Sequence, residues 1–203
     1  MELIGRKHEV ILLGPTGSAA DNINGNTYHS ALGITLSKKQ KPDVPDRIKH
    51  LWLKKTIMVI DEISMTDLAT LSVINKRCKS AKAQPISSPD LFGGIPIVIV
   101  MGDFFQFPPV KGTPLWKEAR NGNDDEADGF LIWQRFTSCI ILDEQMRQAD
   151  DPDFQSFLDR VRAACVTQDD ITRLNSKVVT SIFDPRFDTA TVVVKRNSTR
   201  QAI

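Results

Sequence analysis

The 203-residue chain carries 26 basic and 25 acidic side chains, and its formal net charge of +1 excludes a uniformly basic surface. Its length suits one domain, or one domain plus an incomplete second, and 41% hydrophobic residues suffice for a packed core. No apolar stretch is long enough for a signal peptide or a membrane span. We therefore expect a soluble intracellular protein that has no membrane partner.

Five apolar runs predict buried strands, because short continuous runs are typical of parallel sheets that are covered on both faces. The runs are residues 10–13, 57–60, 97–101, 140–142 and 191–194. Helical patterns lie between them. Strands that alternate with helices favour an α/β fold with a parallel sheet.

Three helices are predicted from their first residues and their apolar faces. Asp67 stands in the first turn of one helix, and the second begins with Asp151 as cap and Pro152 at its first position. The third begins at Thr167. The residues predicted to line the apolar sides of these helices are Leu68, Leu71, Ile74 and Cys78, then Phe154, Phe157, Leu158 and Val161, then Ile171 and Leu174.

Two segments and a lysine cluster have compositions typical of the surface. Residues 83–94 are rich in Pro, Ser and Gly, and residues 118–129 are acidic with Asn and Gly, so both are predicted loops. The acidic loop would repel DNA. Lys38, Lys39 and Lys41 could touch phosphates, although we favour a solvated loop there.

The three cysteines, Cys78, Cys139 and Cys165, are widely spaced and odd in number. They form neither a metal-binding pattern nor a disulfide framework. We interpret them as reduced, small core residues of an intracellular protein.

Polar residues follow the second, third and fourth predicted strands. Asp61 and Glu62 follow the second, Gln106 lies shortly after the third, and Arg147 shortly after the fourth. Because the carboxyl ends of parallel strands point the same way, these residues can converge on the crevice where open α/β sheets bind ligands.

The charges of these residues suggest magnesium–nucleotide chemistry. Asp61 would hold Mg²⁺, directly or through water, and Glu62 would polarise an attacking water. Gln106 can hydrogen-bond a γ-phosphate oxygen, and Arg147 can neutralise charge that develops in the transition state. Each residue alone also has a structural interpretation, such as acids that cap the next helix. The ordered set of three strand ends is more specific than any one of them.

The turn after the first strand is the obvious candidate for a phosphate-binding loop, and it does not fit. The pattern G-x-x-x-x-G-K-[ST] would need a second glycine at Ala19, the lysine at Ala20 and a hydroxyl at Asp21. An acid at the last position would repel phosphate. We interpret residues 14–21 as a different kind of turn.

These motifs resemble those of the Petite Integration Frequency (Pif) family of superfamily-one 5′-to-3′ DNA helicases, which includes the helicase regions of Helitron transposons. Nearly the whole chain takes part, and the motifs stand in the family's order. Residues 14–20, with Gly25, Thr27, His29 and Ser30, are similar to the second conserved helicase motif. Residues 61–65 resemble the magnesium and water motif, residues 102–110 the γ-phosphate sensor, residues 144–148 the arginine motif, and residues 196–198 the segment that leads into the second motor domain.

The resemblance implies a RecA-like P-loop NTPase motor domain that binds Mg²⁺ and ATP between two motor domains and moves along single-stranded DNA. By motif, Asp61, Glu62, Gln106 and Arg147 would be the catalytic residues. Asp61 would bind the metal, and Gln106 and Arg147 would contact the nucleotide.

The same resemblance places four residues near the DNA strand, namely Pro15, Thr16, Gly17 and His29. Short polar groups and exposed backbone amides suit phosphate contacts, which position DNA without reading its sequence. For His29 the alternative is a histidine at a helix start that is satisfied by its neighbours.

In the family a strand, a glycine-rich lysine loop and a helix precede the motif at Gly14, and 13 residues are too few for that unit. We therefore expect residues 1–180 to form a partial first motor domain and residues 181–203 to begin the segment leading to the second. Such a chain would be inactive alone and prone to aggregation.

The resemblance also suggests DNA repair, recombination or telomere maintenance as the process, and the nucleus or mitochondrion as the compartment. Two alternatives stay open. One is a non-enzymatic transposon remnant or pseudo-helicase that binds DNA or a protein partner. The other is a different α/β NTPase that recruits its phosphate loop from a partner.

Overall fold

The computed structural model describes residues 5–35, 43–178, 191–194 and 198. The chain forms two compact units, which meet in sequence between Ile141 and Leu142. The predicted boundary at residue 180, the lysine cluster at 38–41 and residues 196 and 197 all lie outside the described residues. The two-domain division predicted there stays a prediction.

The first unit is built on a four-stranded parallel sheet with the order β2-β1-β3-β4. Its strands are β1 (Val10–Gly14), β2 (Asn26–Thr27), β3 (Ile57–Ile60) and β4 (Ile97–Val100). In the register, Val10 of β1 and Ile97 of β4 both pair with Ile57 of β3. The predicted α/β fold with a parallel sheet is confirmed.

Among the described residues, five helices belong to the first unit and two to the second. They are α1 (Gly17–Asn22), α2 (Tyr28–Leu32), α3 (Asp46–Trp52), α4 (Leu68–Ala81), α5 (Asp124–Trp133), α6 (Pro152–Arg162) and α7 (Gln168–Asn175). Short 3-10 turns occur at Lys7–Glu9, Ile63–Met65 and Leu91–Gly94. Within the described part of the chain, no helix has both the length and the apolar character needed to cross a bilayer.

The two faces of the sheet differ in burial. Met58 and Ile60 of β3 are fully buried and pack in the hydrophobic core. On β4, Ile97 and Ile99 are 48% and 40% exposed. Val59, on the other face of β3, is only 7% exposed. Because side chains alternate across a sheet, β4 has a half-buried face and a more exposed one. Burial on both faces was thus correct for β3 and wrong for β4.

Helix α4 packs its predicted apolar face into the core. Leu68, Leu71, Ile74 and Cys78 are all fully buried. Asp67 caps the helix, since its Oδ1 accepts a hydrogen bond from the Thr70 N–H at 2.8 Å. The apolar face is as predicted, whereas Asp67, which we placed in the first turn, is the N-cap that precedes it.

Helix α5 corrects the prediction of an acidic surface loop over residues 118–129. The helix begins after Asn123, whose side chain accepts from the Glu126 N–H, and it packs against α4. A Cβ at Gly129 would lie 1.9 Å from the Leu68 carbonyl oxygen, so only glycine allows this close approach. The acids of its first turn favour a helix start, and this signal was outweighed by the loop-like composition.

Two predicted strands are absent from the described structure. Residues 140–142 and 191–194 lie in no strand, and Ile140, Ile141 and Leu142 are 83–90% exposed. A strand requires a neighbouring strand to pair its backbone groups, which an apolar run cannot supply by itself. Cys139 and Cys165 are exposed as well, so only Cys78 is the core cysteine that we expected.

The second unit contains α6 and α7, which start where their caps predict. Asp151 Oδ1 accepts from the Phe154 N–H, and Thr167 forms a reciprocal capping box with Asp170. Arg160 pairs with Asp170 at 2.6 Å and links the two helices. Of the predicted apolar side of α6, Phe157 is buried, whereas Phe154 and Val161 are 40% and 47% exposed. The prediction that Ile171 and Leu174 of α7 point inward is wrong, because their side chains are 42% and 50% exposed.

Candidate functional site

The acidic pair leaves β3 in a turn that neighbouring chain segments hold on both sides. The Asp61 N–H donates to the Leu13 carbonyl of β1 at 2.8 Å. The Ile63 N–H donates to the Met101 carbonyl just beyond β4, also at 2.8 Å. The predicted strand end is therefore fixed by backbone hydrogen bonds to both adjacent strands.

Glu62 adopts a left-handed backbone conformation, with φ 51° and ψ 43°. This region costs a residue with a side chain about 1 kcal/mol or more, so the surroundings must enforce it. The Glu62 N–H donates to Asp61 Oδ1 at 2.9 Å, and the chain then enters the 3-10 turn Ile63–Met65. Strained residues of this kind occur often at functional sites.

Asp61 suits the predicted magnesium ligand in its chemistry and place. It is half-buried at the carboxyl end of a central strand, and carboxylate oxygen is a preferred Mg²⁺ ligand. Among the described residues, no group of three His, Cys, Asp or Glu side chains could hold a metal ion. Mg²⁺ commonly takes one or two carboxylates plus nucleotide phosphates, so Asp61 fits a site that a bound nucleotide would complete.

The loop after β4 places Gln106 through a turn built on Asp103. Asp103 Oδ1 accepts from the Phe105 N–H at 3.0 Å, and its carbonyl accepts from the Gln106 N–H at 3.0 Å. Its Oδ2 also accepts from Gln106 Nε2 at 3.3 Å. An Asp that bonds the backbone two residues ahead is a recognisable turn signal, and our sequence reasoning did not use it.

The loop after β4 runs close to the acidic turn because residue 102 is glycine. A Cβ at Gly102 would lie 2.9 Å from the Ile63 backbone nitrogen. The absence of a side chain thus lets the two strand ends meet, as the parallel-sheet rule predicts.

A cavity of about 220 Å³ lies beside these two strand ends. It contains Glu62 and Gln106, which we predicted for the nucleotide, and Thr16, which we predicted for DNA. Its full lining is Thr16, Ser18, Ala19, Asn22, Glu62, Met65, Gln106 and Phe107. Three predicted site residues from three separate segments therefore share one cavity wall.

The turn from β1 to α1 contains Pro15, Thr16 and Gly17. Thr16 Oγ1 accepts from the Ala19 N–H at 3.2 Å and caps α1. A Cβ at Gly14 would lie 2.8 Å from the Ala20 nitrogen, so the turn is tight. The DNA contacts assigned to this turn stay a prediction.

His29 lies in the first turn of α2 with its ring 4.7 Å from the Tyr28 ring. The side chain is half-buried, and burial lowers its pKa below the ordinary value of 6.5. The imidazole is therefore mostly neutral at pH 7, which weakens any attraction to phosphate. These facts favour the structural interpretation of His29, and its DNA contact stays a prediction.

Arg147 is an exposed residue of the second unit, between the run 140–142 and α6. It is thus placed in a different unit from Glu62 and Gln106. Its convergence with them at the nucleotide stays a prediction.

A buried carboxylate that the sequence analysis missed holds the continuation of the Gln106 loop. Glu126 is fully buried and accepts from Thr113 Oγ1 at 2.8 Å, from the Arg120 N–H at 3.0 Å and from the Arg120 guanidinium. The Arg120 hydrogen bonds are the main reason that the Glu126 pKa falls to about 2. The Leu68 N–H donates to the Thr113 carbonyl at 2.9 Å. The loop is thereby tied to both α4 and α5.

Comparison with known proteins gives consistent results. A family model described as PIF1-like helicase matches residues 1–169. The chain is 31% identical over 159 residues to the ATP-dependent DNA helicase PIF1 of Emericella nidulans, covering 75% of this chain and 20% of that protein. It is 32% identical over 173 residues to the ATP-dependent DNA helicase PIF1 of Candida albicans, covering 79% and 18%. The chain thus spans about a fifth of the length of these curated relatives.

One solved structure is similar to most of this chain. It is the Pif1 helicase from Bacteroides in complex with ADP-AlF3 and single-stranded DNA. The TM-score is 0.68 at 30% sequence identity, and the match covers 90% of this chain and 43% of that one. The likeness therefore includes sequence as well as fold.

Proposed function

We propose, because the chain belongs to the PIF1-like helicase family, that it forms part of the motor of an ATP-dependent DNA helicase. The observation that carries the proposal is the shared cavity of Glu62, Gln106 and Thr16. It brings two residues proposed for the nucleotide beside one proposed for DNA, within one compact unit. A 5′-to-3′ direction, a role in repair, recombination or telomere maintenance, and a nuclear or mitochondrial location belong to the same proposal.

The proposed chemistry divides among four side chains. Mg²⁺, when bound with ATP, would neutralise part of the phosphate charge. Asp61 would hold the ion, directly or through water. Glu62 would accept a hydrogen bond from the attacking water and so orient it toward the γ-phosphate. Gln106 would hydrogen-bond a γ-phosphate oxygen, and Arg147 would stabilise the charge that develops during transfer.

ATP hydrolysis by the 203-residue chain alone should be weak. Its sequence contains no G-x-x-x-x-G-K-[ST] motif, whose amides and lysine hold the β- and γ-phosphates in P-loop enzymes. The chain would therefore contribute the water-activating and sensing side chains, and it would lack the main phosphate grip. DNA binding does not depend on that loop and should persist.

The test measures both activities on the purified chain. We expect a fluorescein-labelled oligothymidylate of about 16 nucleotides to bind with an affinity that falls as salt rises, and ATP turnover to stay at background. Thr16→Ala should weaken DNA binding, while Thr16→Ser keeps the hydroxyl and serves as the matched control. Because Thr16 also caps α1, the thermal midpoint of each variant is measured alongside.

Two results would contradict the proposal. No binding of single-stranded DNA at low salt would remove the DNA-motor function. ATP turnover comparable to that of complete helicases would show that the phosphate loop is dispensable, and it would overturn the division of roles.

A further inference from the structure

The outer edge of β4 has no partner strand in the part of the chain that the structure describes. The sheet order ends at β4, whose inner edge pairs with β3. The Ile97 N–H donates to the Thr56 carbonyl at 3.2 Å, so the backbone groups of Val98, the next residue, point to the outer side. Unpaired backbone groups along a strand are a template on which another strand can add.

One face of this edge strand is also apolar and open. Ile97 and Ile99 are 48% and 40% exposed, and because they stand two residues apart they share one face of the sheet. Val98 and Val100, on the other face, pack against the hydrophobic core. A strand added to this edge would therefore pair with the backbone of β4 and cover exposed apolar surface at the same time.

A second cavity, of about 320 Å³, opens at the amino end of β4. Its lining is Arg6, Glu9, Val10, Thr56, Ile57, Pro96 and Ile97. None of these residues lines the cavity beside Gln106. The first residues of β1, β3 and β4 are in register, so this cavity lies at the opposite end of the sheet from Asp61 and Glu62.

The rim of the second cavity is basic. Arg6 lines it, Lys7 follows Arg6, and Lys54 stands two residues before Thr56, and all three basic side chains belong to exposed residues. Glu9, the one acid among the lining residues described, already accepts hydrogen bonds from Arg6 Nε at 2.6 Å and from Thr56 Oγ1 at 2.8 Å. The amino end of the sheet therefore attracts acidic groups.

Hydrogen bonds between β1 and β3 hold this end of the sheet in shape. Lys55 Nζ donates to the carbonyls of His8 and Val10 at 2.7 and 2.9 Å. The Thr56 N–H donates to the Glu9 carbonyl at 2.9 Å. The surface is therefore preformed, and binding to it costs little additional ordering.

Residues 140–144 have the complementary features. Residues 140–142 are 83–90% exposed and lie in no strand of the described chain. The exposed acids Asp143 and Glu144 follow them directly. An exposed apolar run of this kind is typical of an interaction surface, and its backbone can pair with a free strand edge.

We propose that residues 140–144 of one copy of the chain add to the outer edge of β4 in a second copy, antiparallel to β4. In this direction the apolar run covers the open face, and the two acids that follow it reach the basic rim at the amino end. A parallel strand would instead carry its acids to the carboxyl edge of the sheet, where Asp61 and Glu62 would repel them.

This association is head-to-tail and weak. Each copy carries one donor segment, residues 140–144, and one receiving edge, so pairing leaves a free donor and a free edge at the ends. One short strand buries little area, so the chain should be monomeric at low micromolar concentration. The proposal does not depend on the DNA-motor function, since it uses none of the residues proposed for ATP or DNA.

The experiment blocks the donor and the receiver separately in the 203-residue chain. The donor-blocked variant is Ile140→Pro with Ile141→Pro, because adjacent residues point their N–H groups to opposite sides and one of the two prolines must then face β4. The receiver-blocked variant is Ile97→Asp, which places an acid on the open face. Leu131→Asp is the matched control, since Leu131 is 63% exposed and lies on α5.

Sedimentation velocity measures the mass of each protein from low to several hundred micromolar. The parent and Leu131→Asp should grow beyond one chain mass of 22.7 kDa as the concentration rises. Each blocked variant alone should stay at one chain mass. An equimolar mixture of the two should form a species of two chain masses and nothing larger, because only one donor and one receiver remain usable.

A peptide of residues 140–146 tests the basic rim without relying on Ile97→Asp. Labelled with fluorescein, it should bind the donor-blocked chain, and a scrambled peptide of the same composition should not. Lys54→Gln in that chain should weaken binding about 1.5- to 5-fold, the range for one exposed ion pair. Lys117→Gln, at an exposed lysine outside this surface, should leave binding unchanged. Far-UV circular dichroism equal to that of the parent confirms that each variant is folded.

Three results would overturn the interface. The first is a parent chain that stays at one chain mass at every concentration. The second is a mixture of folded blocked variants that forms no species of two chain masses. The third is equal growth of all four proteins, which would indicate non-specific aggregation. DNA binding is measured separately, and its absence would contradict the DNA-motor function while leaving this interface standing.

Discussion

The run at residues 57–60 and the run at residues 140–142 look alike in sequence and have opposite structures. Both are apolar, and both lead into an acidic pair, Asp61-Glu62 in one case and Asp143-Glu144 in the other. The first forms β3, in which Met58 and Ile60 are fully buried. The second forms no strand, and its side chains are 83–90% exposed. The difference shows that an apolar run becomes a strand only where neighbouring strands can pair with its backbone.

The hydrogen bonds explain the contrast. β3 pairs along its length with β1 and β4, and the turn after it is held by the carbonyls of Leu13 and Met101. Order in residues 142–178 has a more local origin, in the helix caps of α6 and α7 and the Arg160–Asp170 ion pair. The following predictions test whether long-range contacts stabilise the region around β3, and whether helix caps and a local ion pair stabilise residues 142–178.

The largest expected effect compares Ile60→Ala with Ile141→Ala. Ile60 is fully buried, so Ile60→Ala should lower the free energy of unfolding by about 2–5 kcal/mol through lost burial and a residual cavity. Ile141 is 83% exposed, so the same change there should stay within about 0.5 kcal/mol. Urea denaturation of both variants measures the difference. A comparable loss at Ile141 would mean that the 140–142 run is packed in solution.

A smaller effect is expected when the buried carboxylate that holds the Gln106 loop is neutralised. Glu126→Gln removes the charge that Arg120 and Thr113 bind, so the thermal midpoint at pH 7 should fall by several degrees. Glu118→Gln is the matched control, because Glu118 is an exposed acid of the same segment and should leave the midpoint unchanged. Equal thermal midpoints for the two variants would contradict the proposal that buried Glu126 stabilises the loop.

The pH dependence of that effect has a definite sign. The pKa of Glu126 is about 2 in the folded chain and 4.5 ordinarily, so its stabilising contribution is complete above about pH 4.5 and disappears as the pH falls toward 2. The midpoint difference between parent and Glu126→Gln should therefore shrink over that range. Glu9 and Asp43, whose pKa values are also about 2, should lower the midpoint of both proteins equally there. Thermal melts at intervals from pH 7 to pH 2.5 measure it.

The smallest effect concerns the helix cap of α6. Asp151→Ala removes the acceptor of the Phe154 N–H and should cost about 1 kcal/mol. Because order in this region is local, amide hydrogen exchange should accelerate in α6 and stay unchanged in β3. Asp150→Ala, one residue before the cap, should alter neither. Faster exchange throughout β3 in Asp151→Ala would show that the two regions are coupled.

Local signals in the sequence predicted much of the fold. Asp67 before an apolar helical face marked α4, and Asp151 with Pro152 and Thr167 marked the starts of α6 and α7. These signals succeed because a cap satisfies backbone groups within the next three residues, whatever the rest of the chain does. The loop prediction for the acidic segment that becomes α5 was wrong. Gly129 allows the close approach of α5 to the Leu68 carbonyl of α4, and that contact depends on packing between two helices.

In the candidate site, too, a sequence rule predicted part of the arrangement and tertiary packing decided the rest. The rule that parallel strands share a carboxyl edge correctly brought Glu62 and Gln106 together. It could not indicate that Thr16 and Phe107 would line the same cavity, or that Glu126 would anchor the loop from a distance in sequence. Those contacts depend on how α1 and α5 pack, and side-chain periodicity carries no information on that packing.

By itself the sequence determined the α/β class, the helix starts, the family motifs and the order of the strand ends, because these depend on neighbouring residues and on period. Only the tertiary structure decided which apolar runs became strands, which acid was buried and which motifs share a cavity. The physical reason is that backbone pairing and desolvation need partners from distant parts of the chain. Residues 57–60 have such partners on both sides, and the like-patterned residues 140–142 lie in no strand of the described chain.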